Sequence, residues 1–376
     1  MTHTAKQESP DVFHFWTALS LIAASCRMNI WMDRGFYKLY PNLYVIFIAE
    51  SGKLRKSTAQ EYGVDRILRY VPGIKLYTER MTMEGLLGQM DQVAINNGII
   101  SRDGCVYIFA PELMMLLPGD EISRKVMGFM TSVYMGKEKY GYLTKGGGDI
   151  KLENVLINFL GASASDWLET LAEDVAKGGF LARMVFITAS KRRHADAWPR
   201  PNTALVSLDD LRLDLQHIAT LEGEAKPTEE LITGFAEWYS KEEPIHDDPR
   251  VQGFRERQHD LALRISMLLS IATSDSLVVN ERHLKVAQSI VQDIESFVPQ
   301  ALSHIATSPQ SRDAERVLAQ IKRKGGQMSY TDILRANSWK LSATEVQEIL
   351  RTLEGREEVH FVRSGKKLVY KAGAKP

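Results

Sequence analysis

The order of apolar and polar positions divides the chain into a region of interleaved strands and helices, a helical region and a small mixed segment. Residues 43–48 form a continuous apolar, β-rich run, the pattern of a strand covered on both faces. Residues 105–110 and 155–162 repeat the pattern, the latter with one polar position, Asn158. Shorter β-type runs occur at 74–77 and 184–188. Helical periodicity fills 11–27, 59–70, 83–96 and 120–135, with Thr82 placed as a cap for the third. Alternating runs predict a hairpin over 28–39 around Asp33-Arg34-Gly35. A longer hairpin is predicted over 140–155, with Lys145-Gly146-Gly147-Gly148 at its tip and Lys151 on its return arm. Strands alternating with helices predict an α/β core from 10 to 190, preceded by a flexible polar lead over 1–9.

After residue 190 the period changes. Residues 191–202 (KRRHADAWPRPN) read as a basic, proline-broken connector. Amphipathic helices over 208–221, 228–242, 251–274 and 280–297 then predict a helical lid domain across 203–305. Residues 309–376 give helices at 312–324, 330–336 and 342–354, the last opened by a Ser342/Glu345 capping box, then a hairpin with Lys366 and Lys367 at its turn. Three helices and a terminal basic hairpin predict a winged helix. This segment holds 14 lysines and arginines against 8 acidic residues, an excess of six positive charges. Such an excess suits sequence-independent phosphate contacts, with Lys340, Arg351, Lys366 and Lys367 as candidates. A winged helix used for protein contact is the alternative.

Composition adds bounds. A chain of 376 residues is long enough for two or three domains, and 44% apolar with 25% charged residues is ordinary for a globular protein. Net charge is zero, so the whole chain offers no electrostatic argument for nucleic acid. Cys26 and Cys105 lie in apolar runs without metal-ligand spacing and read as buried thiols of a reducing cytoplasm. No run reaches membrane-spanning length and no signal-peptide pattern is visible, so the expectation is a cytoplasmic protein with no membrane partner.

The candidate chemistry starts at the end of the 43–48 run. Glu50-Ser51-Gly52-Lys53-Leu54-Arg55 is a short polar loop, followed by Lys56-Ser57-Thr58 and a helix. Strand, tight loop, Lys-Ser, helix is the order of a phosphate-binding loop. Backbone N–H groups at the helix start would face the anion, Lys56 the β/γ-phosphates and the Ser57 hydroxyl Mg²⁺. Where the motif has glycines this chain has Glu50 and Arg55, and only Gly52 lies inside the loop. A lysine-rich loop with Ser57 capping the helix is the plainer reading. The 105–110 run ends at Pro111-Glu112, and Glu112 is the one acidic residue where ATPases of this kind keep a metal-holding and water-polarising pair on the strand beside the loop. A carboxylate at a helix start explains it equally. Asn158 serves either as a γ-phosphate sensor or as a partner for a buried backbone group. Arg183, after Gly178-Gly179, is placed either as an arginine finger for a neighbouring subunit or as a salt-bridged surface residue.

His14-Phe15-Trp16, the run from Asp33-Arg34-Gly35 through Tyr40-Pro41-Asn42-Leu43-Tyr44-Val45, Arg55-Lys56-Ser57-Thr58, Ala110-Pro111-Glu112-Leu113 and Gly178 to Arg183 together resemble a family of P-loop proteins from phages and other mobile elements. Its members are described as helicases or primase-associated ATPases. The helical lid and winged helix are similar to the layout of MCM-like AAA+ helicases. The resemblance implies an AAA+/RecA-like P-loop NTPase core, ATP and Mg²⁺ as cofactors, and a hexameric ring on single-stranded or forked DNA, whose phosphates Lys145 and Lys151 of the 140–155 hairpin would touch unless it is an ordinary surface hairpin. It also implies a primase or polymerase as partner. Carried over by residue, Ser51, Gly52, Lys53, Arg55, Lys56, Ser57 and Thr58 hold the nucleotide, with Ser57 and Glu112 at the metal. Glu112 activates water, Asn158 is a sensor, Arg183 is the finger and Arg264 is a lid sensor, a role Arg255 or Arg257 would fill as well. A nucleotide-gated initiator or helicase loader with little hydrolysis is the competing expectation, favoured by the degenerate loop and the absent aspartate.

Overall fold

The computed structural model describes residues 2–50, 52–78, 80, 82–92, 94–96, 99–101, 103–144, 148–164, 179–198, 206–241, 246, 249–302, 309–364 and 367–373. Ser51, Lys145, Gly178 and Lys366 fall outside them. The chain forms two compact units, Met1–Leu302 and Ser303–Pro376.

The first unit opens with α1 (Asp11–Cys26), β1 (Ile30–Asp33), β2 (Lys38–Leu39), β3 (Tyr44–Ile48), α2 (Lys56–Arg66), β4 (Leu76–Tyr77) and α3 (Met83–Met90). It continues through β5 (Ala94–Asn96), β6 (Ile99–Ser101), β7 (Cys105–Ala110), α4 (Leu113–Leu116), α5 (Glu121–Val133), β8 (Lys137–Thr144), β9 (Gly148–Ser163) and β10 (Val185–Ile187). Five strands build one parallel sheet in the order β10-β3-β9-β7-β4. Every residue of β3 and β7 is buried, which is why both read as unbroken apolar runs. From β3 the chain crosses to the far edge at β4, then returns through β7 and β9 to β10 beyond β3. Right-handed crossovers therefore put α2 on one face and α3 and α5 on the other. In accord with this, α2 packs on α1 and β9, while α3 and α5 pack on each other and on β9. The sheet sits between two helical layers.

Local signals account for many boundaries. The Thr82 and Asp120 side chains cap α3 and α5 by accepting from the N–H groups of Gly85 and Ser123. The helix expected over 83–96 stops at Met90, and Ala94–Asn96 pairs with Ile99–Ser101 as a small hairpin. β9 is unusually long: its first half pairs antiparallel with β8 and its second half enters the parallel sheet. Asn154, at φ 52, stands between the two halves. The β8–β9 hairpin thus extends from the edge of the sheet where β9 begins.

The helical region comprises α6 (Leu208–Ile218), β11 (Gly223–Glu224), β12 (Lys226–Pro227), α7 (Glu229–Tyr239), α8 (Pro249–Arg255), α9 (Gln258–Ile271), β13 (Val278–Val279) and α10 (Glu281–Leu302). The single helix expected over 251–274 is two, parted at Glu256 and Arg257, where the Arg257 N–H turns to the Phe254 carbonyl. These helices share the first unit with the sheet: α10 packs on β10, β11 extends β1, and Arg34 lies 4.9 Å from the centre of the Phe235 ring.

The second unit comprises α11 (Pro309–Arg323), β14 (Gln327–Ser329), α12 (Tyr330–Asn337), α13 (Ala343–Gly355), β15 (Val359–Ser364) and β16 (Lys367–Ala372). Its strands form an antiparallel sheet in the order β14-β16-β15. The three helices and one sheet face enclose a core that includes Val317, Ile321, Ile333, Val346, Ile349 and Leu353. The Ser342/Glu345 capping box forms as expected.

Candidate functional site

Open parallel α/β sheets bind ligands at the carboxyl ends of their strands. At that edge β3 ends in Ile48 and the chain turns through residues 49–55 into α2. The Lys53 N–H bonds to the Glu50 carbonyl at 3.4 Å, and Gly52 takes φ +70. Arg55 is left-handed (φ 52, ψ 41), although the cost for a residue with a Cβ is roughly 1–2 kcal/mol. This is the position where the phosphate-loop pattern has its second glycine, and here a residue with a Cβ takes a conformation that glycine adopts more readily.

The surroundings hold it there. The Ser9 hydroxyl donates to the Arg55 carbonyl at 2.9 Å, and Arg55 Nε donates to Glu8 at 2.9 Å. Glu8 also accepts from Arg192 Nη1 at 3.0 Å and from the Asp196 N–H at 3.2 Å, and Arg192 Nε donates to the Lys53 carbonyl at 2.6 Å. Led by the Arg55 bond, these donors hold the Glu8 carboxyl down to about 2. Segments expected as a flexible lead and a connector thus clamp the loop from both sides. No sequence signal pointed to Glu8 or Arg192, which meet across 184 positions.

Lys56 opens α2, whose N-terminus carries no side-chain cap. Its half-buried ammonium donates to the Ala49 carbonyl at the end of β3. Burial lowers the Lys56 pKa, and Glu112, close enough to act on it electrostatically, opposes the shift. Glu112 is exposed and sits between β7 and α4. Its strand is not beside the strand of the loop, as the sequence reading had it: β9 lies between. Half-buried Ser57 and exposed Thr58 follow Lys56 in the first turn, while Gly52 and Lys53 are exposed in the loop, with Lys53 Nζ 3.2 Å from Glu50. β9 ends at this edge in buried Ser163, aligned with Ile48, and its carbonyl accepts the Ala49 N–H at 3.2 Å. Ser163 escaped notice because it falls just past the apolar run.

Uncapped helix N–H groups, an ammonium, a hydroxyl and a facing carboxylate suit a polyanion carrying a divalent cation. Among the described residues no cluster of three or more His, Cys, Asp or Glu forms a metal site by itself. A cation here would draw on phosphate oxygens besides Ser57 and Glu112.

Three expected site residues lie at the other edge. Asn158 precedes Ser163 by five positions, about 17 Å along a strand. Its Oδ1 accepts the Leu43 N–H at 3.0 Å and its Nδ2 donates to the Ala23 carbonyl at 3.3 Å. The backbone-partner reading therefore fits it, and the sensor reading does not. Arg264 is fully buried. It donates to the carbonyls of Tyr40 and Asn42 at 2.5 and 3.2 Å and to Asn42 Oδ1, and its guanidinium lies 4.5 Å from the centre of the Tyr134 ring. Held in the core by its Nη1 bonds, with Nε buried and unpartnered among the described residues, it is shut away from any nucleotide bound at the carboxyl edge. Arg255, its proposed substitute, pairs with Glu295 at 2.6 Å. Arg183 precedes β10, half-buried, with Nη1 donating to the Gly179 carbonyl at 2.7 Å. Burial, then neighbouring Arg257, lowers its pKa. It lies at the edge away from Lys56 of its own chain.

The basic candidates are scattered. Lys151 is exposed on β9 opposite Gly141. Lys340 pairs with Asp313 at 3.1 Å, Arg351 is exposed on α13, and Lys367 opens β16. Both cysteines are buried as expected, and burial pushes the Cys105 thiol up to about 11. No helix among the described residues is long and apolar enough to cross a membrane.

No family model matches the chain, and no curated protein matches its sequence. Among solved structures, the A-form apo C-terminal region (305–718) of NrS-1 aligns over 98% of this chain and 78% of that one. Identity is 10% and the TM-score is 0.23, so this likeness carries no argument about fold or function.

Proposed function

We propose that the chain is an ATP-dependent DNA helicase or translocase, used in DNA replication by a phage or mobile element, with a P-loop NTPase core and a C-terminal winged helix. One observation carries the reading. Lys56 stands at an uncapped helix N-terminus, after a loop whose Arg55 keeps the left-handed glycine conformation, with Glu112 facing it at the carboxyl edge of a parallel sheet. In this reading Lys56 and the α2 N–H groups bind the phosphates of ATP, Ser57 ligates Mg²⁺ and Glu112 orients the attacking water. Arg183, at the far edge, serves the site of a neighbouring copy in a ring, which we take to be a hexamer. The helix-strand-helix-helix-hairpin order of the second unit supports the winged-helix assignment.

The test is ATP hydrolysis with and without single-stranded DNA, on wild type and Lys56→Ala. DNA-stimulated turnover that vanishes in the variant supports the motor. Absence of turnover with nucleotide binding intact favours a second reading, a nucleotide-gated initiator or loader. One observation favours that alternative: β7 ends in Ala110 and Pro111, with no aspartate before Glu112.

A further inference from the structure

The positive excess of the second unit has to sit somewhere. It does not sit on α13, the third helix, where a winged helix would be expected to read DNA. The covered face of α13 is Val346, Ile349, Leu350 and Leu353. Its outer surface carries exposed Glu345 and Glu348 and half-exposed Glu354 against a single cation, Arg351. Phosphates laid along that surface meet net negative charge. Lys340, beside it, is tied to Asp313 at 3.1 Å, which also pairs with Arg316 at 3.0 Å.

Three of the unit's cations line instead a groove of about 980 Å³ between α12 and the outer face of the three-stranded sheet. Lys324, just past α11, and Arg335 on α12 both line it. Lys371 is in register with Gln327 on β14, and Val369 is in register with Val362 on β15. Among the described residues, none of Lys324, Arg335 and Lys371 takes part in an ion pair, and both Lys324 and Lys371 are exposed. Among the described residues Asp332 is the one carboxylate lining the groove, and it is tied to the start of α12 by the Ser329 hydroxyl at 2.6 Å.

We infer that this groove, rather than α13, is the face on which the second unit holds a polynucleotide backbone. Three unpaired cations over one tethered acid make the groove complementary to a line of phosphates. Among the described residues no aromatic side chain lines it, so they offer no platform for stacked bases, and the ligand class is duplex DNA bound without regard to sequence. This assignment rests on the reading of the protein as one that acts on DNA.

The experiment is fluorescence anisotropy of a labelled duplex against the full chain, across a salt series, with thermal unfolding as the folding control. Wild type is compared with Lys324→Gln/Arg335→Gln/Lys371→Gln, with its three single variants and with Arg351→Gln. The triple variant is expected to lower the slope of log K against log salt by about 2.7. Each single variant should lower it by about 0.9. Arg351→Gln should stay within about twofold of wild type. Wild type that binds duplex while the triple variant binds equally well overturns the groove. Wild type that binds no DNA overturns the DNA-acting reading itself. Displacement of the duplex by polyglutamate as readily as by unlabelled duplex overturns the choice of polynucleotide as ligand.

Discussion

The two edges of one parallel sheet handle polar residues in opposite ways. At the amino edge Arg264, Asn42 and Asn158 are buried, and their side chains hold the backbone of neighbouring segments. At the carboxyl edge Lys56, Ser57 and Glu112 are left half or fully exposed around an uncapped helix end. Buried polar groups are tolerated when most of their donors find acceptors, as Arg264 Nη1 does although its Nε does not, and such groups specify the fold. Groups poised around incomplete partners are free to bind. The contrast separates scaffold from site without any appeal to residue type, since an arginine, an asparagine or a lysine can serve at either edge.

The sharpest way to break the contrast is Arg264→Ala. It leaves the Tyr40 and Asn42 acceptors buried without their donor and opens a void. The expected loss is about 3–5 kcal/mol in urea unfolding. A stable Arg264→Ala protein with impaired ATP hydrolysis would return this residue to the site.

The next effect is pH-dependent. Burial holds His14 on α1 neutral, with its pKa lowered to about 4, and its Nε2 has no hydrogen-bond partner among the described residues. The unfolded chain takes up the proton near pH 6.5 while the folded chain resists until about 4. Stability is therefore full above 6.5 and falls as pH drops through that window, by at most about 3 kcal/mol. His14→Phe should flatten the profile between pH 6.5 and 4; an unchanged slope in that variant would assign the loss elsewhere.

The smallest expected effect concerns the loop. Arg55→Gly removes the left-handed strain but also the Glu8 contact, so stability should move by no more than about 1 kcal/mol. Nucleotide affinity should stay within about threefold of wild type by titration. Complete loss of affinity would mean that the guanidinium, not the backbone shape, is what position 55 contributes.

The strands and two helix caps were legible because burial on both faces forces unbroken apolar runs, and because Thr82 and Ser342 cap helices through local bonds. Lys56, Ser57 and Glu112 were legible because the spacing of strand, loop and helix is local. What stayed hidden is non-local. The run at 155–162 does not say which end of β9 meets the loop, so Asn158 and Ser163 could not be ranked. Nor does Arg264 in an amphipathic helix announce that its acceptors lie more than 220 positions earlier. The clamp of Glu8 on Arg55 and Arg192 joins three segments that read separately as lead, loop and connector.

The central claim is that the carboxyl edge, and not the amino edge, is the nucleotide site. The direct test compares ATP turnover of Lys56→Ala and Asn158→Ala, each normalised to its folded fraction. The account predicts that Lys56→Ala folds like wild type and turns over no ATP, whereas Asn158→Ala loses stability and keeps its turnover per folded molecule. Turnover surviving in Lys56→Ala, or abolished in fully folded Asn158→Ala, would contradict it.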